Sequence, residues 1–327
     1  MYIVQSVLNR LKNINFSIKS YVLSLMLSNG RKNCAAMSYS IGVSEKKLYC
    51  FLAESKINVK EIEENLVSLI NKTRVKEVPR CLVIDPTAII KHYAQKMEKI
   101  CYDRTGCTKK VEKVLVPVYA AVIDKNVTIP LTLEFWVQEK IVGKKKYKSK
   151  IEIAQTLISA AKKMEIDFDF IALDGAFSFA PMFDFYKKHK KLKFSQRVAK
   201  SRVIKTKNGV SAQYNLRLPI EKMIRTTKQK FGATQCQAVK ASKQQAHIMA
   251  GFLAYAILNV EINDKQKQSV DDLVNELRKF HIDDLIGQMV QSKKPKNNQY
   301  ADRVAKKFQN RPYDSHKNSD QFSNYSS

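Results

Sequence analysis

Apolar positions change period at Cys81. Before it they recur every third or fourth residue, the spacing of helices with one buried face. Ile18, Val22, Leu23 and Met26 make one such stripe, stopped by Asn29-Gly30, and Ile62, Leu66, Leu69 and Ile70 make another within 59–71. Between them Met37, Ile41, Val43, Leu48 and Phe51 keep helix-turn-helix spacing, with Gly42 at the turn and Ser44 as the N-cap of a helix over 44–53. Two readings share that spacing: a plain helical hairpin, or a DNA-reading pair that presents Glu45, Lys46, Lys47 and Tyr49. The charged run 72–76 reads as a connector.

From Cys81 the pattern is that of strands alternating with helices. Cys81–Asp85 is a short strand, apolar on both faces, ending on a carboxylate, and Pro86 is expected to stop it. Residues 91–113 are polar and basic and predict no element. Val114–Ile123 and Val127–Val137 flank the turn 124–126 and predict a hairpin with Trp136 in its core. A basic loop, 143–150, leads into a helix opened by the capping pair Ser149 and Glu152, with Ile153, Ala154, Leu157, Ile158, Ala161 and Met164 on one face. Phe168–Leu173 is a strand ending on Asp174; Pro181 starts a helix containing Met182, Phe183 and Phe185; 193–198 is a further strand. A helix follows from Pro219, with Ile220, Ile224 and Phe231 inward and Gly232 to end it. Val270–Val290 is a last helix.

Strand, hairpin, helix, strand, helix, strand, helix is the order of a ribonuclease-H-like fold. The class expected is therefore α/β: a mixed ribonuclease-H-like sheet behind an N-terminal all-helical domain. The domain limits that follow are 1–76 helical, 77–260 sheet core with a short insertion at 199–216, 261–292 helical, and 293–327 a polar tail too poor in apolar residues to offset chain entropy. The first and fourth strands lie side by side in such a sheet, so Asp85 and Asp174 converge. Either aspartate taken singly also reads as an ordinary strand-end turn residue.

Charge narrows the partner. With 58 Lys and Arg against 30 Asp and Glu, the 327-residue chain carries +28, which suits a polyanion that exchanges counterions for protein cations. Cys34, Cys50, Cys81, Cys101, Cys107 and Cys236 show neither zinc-ligand spacing nor a disulfide framework, as in a reduced compartment. Met1–Leu8 lacks a basic stretch followed by a signal core, and Ile248–Val260 is shorter than the roughly 20 residues of a membrane span. A soluble cytoplasmic protein with no membrane partner is expected.

The chemistry centres on Glu221, the one carboxylate between Tyr186 and Val260. An acid in the positive first turn of a helix is favourable in itself; in a cationic field it also suits a metal-bound ligand facing phosphate. Around it Tyr214, Arg217, Glu221 and Lys228 spell Y-x2-R-x3-E-x6-K, with Lys228 two turns beyond Glu221 on the same face. This pattern, with the Lys-Gln-Lys-Phe-Gly-Ala that follows and the run 247–259, resembles the signature of bacterial insertion-sequence transposases of the IS-four family, over at least 80–260. The resemblance implies a DDE site in which Asp85, Asp174 and Glu221 hold two Mg2+ (or Mn2+) ions. It implies cleavage at transposon ends and strand transfer into target DNA, with Tyr214, Arg217 and Lys228 on the flanking phosphates.

Its partners would be double-stranded DNA, at transposon ends and target, and a second copy of the chain, as a homodimer on DNA; its place would be the bacterial nucleoid. Pro86 and the Gly-Ala-Phe after Asp174 depart from the family pattern without removing a ligand. The short insertion lacks tryptophan, so the sequence gives no support to a hairpin-ended intermediate. Two alternatives stand beside the transposase: a catalytically inactive nucleic-acid-binding relative, and a ribonuclease-H-like nuclease or resolvase without strand transfer.

Overall fold

The computed structural model of the chain describes residues 2–92, 94–106, 108–190, 192–196, 218–265 and 269–291. The insertion 199–216, with Tyr214, then Arg217, and the tail from 292 lie outside them. Met1–Phe280 form one compact unit and His281–Ser327 a second.

The sheet is mixed. At its centre β1 (Cys81–Pro86) runs antiparallel to β4 (Val111–Asp124) and parallel to β6 (Phe170–Leu173). β5 (Val127–Trp136) lies outside β4, and β7 (Lys193–Gln196) lies parallel outside β6. The order β5-β4-β1-β6-β7 is that of a ribonuclease-H-like fold. β4 is longer than the pattern predicts. Its first residues run past the end of β1 and pair with β2 (Ile89–Ile90) and with β3 (Cys101–Arg104), the latter inside the polar stretch whose pattern predicts no element. β3 escapes sequence reading because only Cys101 is buried; pairing to Val111–Val114, not periodicity, makes it a strand.

β1 runs one residue further than expected and ends on Pro86, which pairs with Val118 of β4, while the register with β6 ends two pairs earlier, at Ile84 with Leu173. A proline at the strand's last position, with a ladder on one side only, forfeits little. β1 is buried from Cys81 to Asp85 and β4 from Val114 to Asp124, so both faces are covered. α7 (Lys150–Lys163) packs on β1, β4 and β5 through Ile153, Ala154, Leu157, Ile158 and Ala161, its first turn closed by the predicted capping box. Full burial of each larger side chain contributes about 1.5–3 kcal/mol.

Five helices precede the sheet: α1 (Tyr2–Arg10), α2 (Phe16–Leu27), α3 (Cys34–Ile41), α4 (Glu45–Ala53) and α5 (Val59–Lys72). The side chains of Asn15, Asn33, Ser44 and Asn58 accept N-terminal N–H groups of α2 to α5. Gly42, at φ +66°, ends α3 in the left-handed region and turns the chain into α4. After β5 come α6 (Glu139–Val142) and α7; α8 (Ala180–Lys188) follows β6. The last three helices are α9 (Leu218–Lys230), α10 (Ala241–Lys265) and α11 (Val270–Gln291).

α10 corrects an expectation. The apolar run is part of a 25-residue helix, and its Ala241–Asn263 portion is long and apolar enough to cross a membrane. Here 83% of its most apolar stretch is buried inside the protein. α10 touches α1, α2, α4, α5 and β5, and Phe252 sits edge-on to Tyr119 with ring centroids 5.1 Å apart. Its apolarity thus comes from helices on one side and sheet on the other, which share one hydrophobic core.

Candidate active site

Register builds the first half of the site. Because Ile84 pairs with Leu173 on parallel neighbours, Asp85 and Asp174 occupy the next level at the C-terminal ends of strands about 4.8 Å apart. Asp85, 7% exposed, is still within β1 opposite Tyr119. Burial first, and the Asp85 charge second, push the Tyr119 phenol far up, so it stays a neutral wall behind the carboxylate. Asp174 caps a 3-10 turn over Gly175–Phe177, its Oδ1 accepting the Gly175 N–H at 2.6 Å.

Lys228 ties α9 to this edge. Its Nζ donates to Thr87 Oγ1 at 2.7 Å and to the Ala88 carbonyl at 2.9 Å, two and three residues past Asp85. Glu221 lies in the first turn of the same helix, on its exposed side, about 10 Å from Lys228 along the axis. The structure thus brings Asp85, Asp174 and Lys228 to one edge and puts Glu221 on the helix anchored there. Among the described residues no three His, Cys, Asp or Glu side chains form a group able to hold a metal ion, so the three acids are not closed on one another.

Side chains outside the predicted set hold the C-terminal end of α9. Lys91, 4% exposed, donates to the carbonyls of Thr234 at 2.8 Å and Cys236 at 2.6 Å, and burial lowers its pKa to about 8. Arg278 donates to Lys230 O and to Met26 O, both at 2.9 Å. His247 lies 2.8 Å from Gly232 O and 2.8 Å from the Tyr21 hydroxyl; burial lowers its pKa to about 4. A neutral ring facing a carbonyl donates from Nε2 and accepts the Tyr21 proton at Nδ1. Gly232 has φ +66°, and a Cβ there would clash with Cγ of buried Lys32. A polar residue inside an apolar run, as His247 is, was the available signal; Lys91 had none.

The expected DNA-reading residues are placed apart from these acids in the chain. Lys46 and Lys47 are exposed on α4 beside Tyr49, and Lys47 Nζ stands 5.1 Å over the Phe16 ring. Trp136, expected in the core, is half-buried with Lys150 Nζ 4.2 Å over its ring.

The donor set fits a hard divalent cation. Two carboxylates at adjacent strand ends repel unless a cation lies between them, and oxygen ligands suit Mg2+ or Mn2+. Thiolate ligation is disfavoured: burial raises the Cys81 thiol to about 12 and Cys101 to about 11.

A family model described as DDE superfamily endonuclease matches residues 8–217, more than half of the chain. The match includes Asp85 and Asp174 and stops four residues before Glu221. No curated protein matches the sequence.

Proposed function

The chain belongs to the DDE superfamily of endonucleases, and on that premise we propose that it is a transposase of the IS-four type, cutting DNA at transposon ends and joining the freed 3′-hydroxyl to target DNA. The observation that carries the reading is the register of Ile84 with Leu173, which sets Asp85 beside Asp174 at the edge where Lys228 fastens α9. DDE endonucleases act on DNA with divalent metals. Here Asp85 and Asp174 would hold two such ions, with Glu221 reaching in from the first turn of α9. Bound there, Mg2+ or Mn2+ supplies the Lewis acidity that lowers the pKa of water and neutralises charge on attacking and leaving oxygens.

The protein's own groups do the rest. Tyr119 excludes water from behind Asp85 and keeps its proton. Lys228 holds the Thr87–Ala88 loop and adds positive charge where phosphate arrives; Arg217 and Tyr214 would extend that grip. The helices through Lys72, with Lys46 and Lys47 exposed, form the DNA-reading part, and two copies of the chain hold two ends together in the cytoplasm.

The test is nicking and joining of DNA flanking the gene, with Mg2+, with Mn2+ and with EDTA. A joined product that needs the metal, and is lost in Asp85→Asn while DNA binding persists, supports the transposase. Cutting without joining leaves a nuclease or resolvase. Binding without cutting leaves a non-catalytic relative.

A further inference from the structure

The strap between β5 and α7 serves neither the fold's core nor the carboxylate pair. We infer that it is a second DNA-contact surface, gripping the phosphate backbone of the duplex beside the scissile position; this rests on the DNA-cleaving reading above. From Glu139 to Lys150 the sequence is Glu-Lys-Ile-Val-Gly-Lys-Lys-Lys-Tyr-Lys-Ser-Lys: six lysines against one carboxylate.

Topology puts the strap at the carboxylate edge. β5 leaves the sheet at Trp136, opposite Val116 of β4, two residues beyond the level where Val118 meets Pro86. That is about 7 Å past the end of β1, and two strand spacings, about 10 Å, to its side. α7 starts from the same edge and returns the chain to β6, which brings it back at Asp174. A duplex lying over Asp85 and Asp174 meets the strap within one helical turn, about 34 Å.

The six lysines divide into two kinds. Two fasten the strap: Lys148 Nζ is 2.9 Å from Glu134 Oε1 on β5, and Lys150 Nζ is 3.1 Å from Asp103 Oδ2 on β3 while covering the Trp136 ring. Gln138 adds a 2.6 Å bond to Tyr102 O. The backbone is ordered as well, with Gly143 N bonded to Glu139 O and both Lys146 N and Tyr147 N bonded to Gly143 O. The other four, Lys140, Lys144, Lys145 and Lys146, are exposed and make no ion pair among the described residues. Holding three consecutive ammonium groups on an anchored turn costs self-repulsion that an arriving phosphate backbone relieves. An anionic membrane would satisfy the same charge, but a membrane surface could not reach this edge without covering the carboxylates.

The test is the salt dependence of binding to a DNA end, by fluorescence anisotropy between 50 and 200 mM salt. Lys144→Ala, Lys145→Ala and Lys146→Ala together should reduce the slope of log K against log salt by about 2 to 3, at about 0.9 for each phosphate no longer neutralised. Lys162→Ala with Lys163→Ala, at the far end of α7, should leave the slope unaltered. An unaltered slope in the triple variant overturns the strap, as does an effect of the triple variant confined to binding of anionic phosphatidylserine vesicles. Failure of the wild-type chain to cut DNA overturns the enzymatic reading instead, whatever the slopes show.

Discussion

The two ends of β1 use charge in opposite ways. At its start, cations hold carboxylates. Asp124, 3% exposed, receives Arg80 Nε at 2.9 Å and a second guanidinium nitrogen at 2.8 Å; Asp169 accepts the Arg80 backbone N–H at 2.6 Å and lies 3.3 Å from Arg74. The Arg80 backbone bond, then Arg74, hold the Asp169 carboxyl below its usual range. At the other end two carboxylates come side by side, while nearby lysines hold backbone: Lys228 at Ala88, Lys91 at Thr234 and Cys236. Closed ion pairs stabilise a fold. The other end brings two acids of like charge to neighbouring strand ends, the donor set of the proposed metal site.

The largest effect expected is a split between function and stability at Asp85. Asp85→Asn keeps the shape and removes one of two neighbouring charges, so Mg2+-dependent cleavage should fall by about 10³-fold or more, the scale of several kcal/mol of lost charge stabilisation. Its melting temperature should hold or rise; a large drop would mean that this end is as structural as the other.

Arg80→Met inverts the outcome. It leaves buried Asp124 with only the more distant Arg74 guanidinium, at 3.9 Å, which costs up to about 3–5 kcal/mol, read as a lower urea midpoint with cleavage per folded molecule retained. A variant of wild-type stability would erase the contrast.

Lys91→Met should cost about 1–3 kcal/mol, because two buried carbonyls lose their donor, and should weaken cleavage through α9. Equal loss of stability and none of cleavage would uncouple the helix anchor from the site.

The smallest effect is a pH slope. Burial first, then Arg278 and Lys230, lower the Lys32 pKa from 10.5 to about 6. In that window the unfolded chain binds more protons than the folded one, so stability should rise with pH from about 6 toward 10.5. Lys32→Met should flatten the part of that rise seen in urea titrations between these limits; an unchanged profile would mean that Lys32 is hydrated.

Much of this was legible in local sequence. The capping pair Ser149 and Glu152, Ser44 at its helix start and Gly232 at its helix end act within a few residues, so identity at fixed spacing suffices. The two aspartates were legible as strand ends because fully apolar strands announce their length. β3 was not, since a strand with one buried residue in four exists only through its partner. Nor was Lys91, whose role needs carbonyls more than 140 residues away.

The sequence by itself determined most of the elements, their order and the charge, because propensity, periodicity and capping are short-range. Only the tertiary structure decided that Asp85 and Asp174 share a level, that Lys228 belongs to the loop after β1, that a membrane-length helix is a core helix, and that the lysine strap stands at the carboxylate edge. Those facts depend on strand register and on which surfaces bury one another, and register is set jointly by both partners.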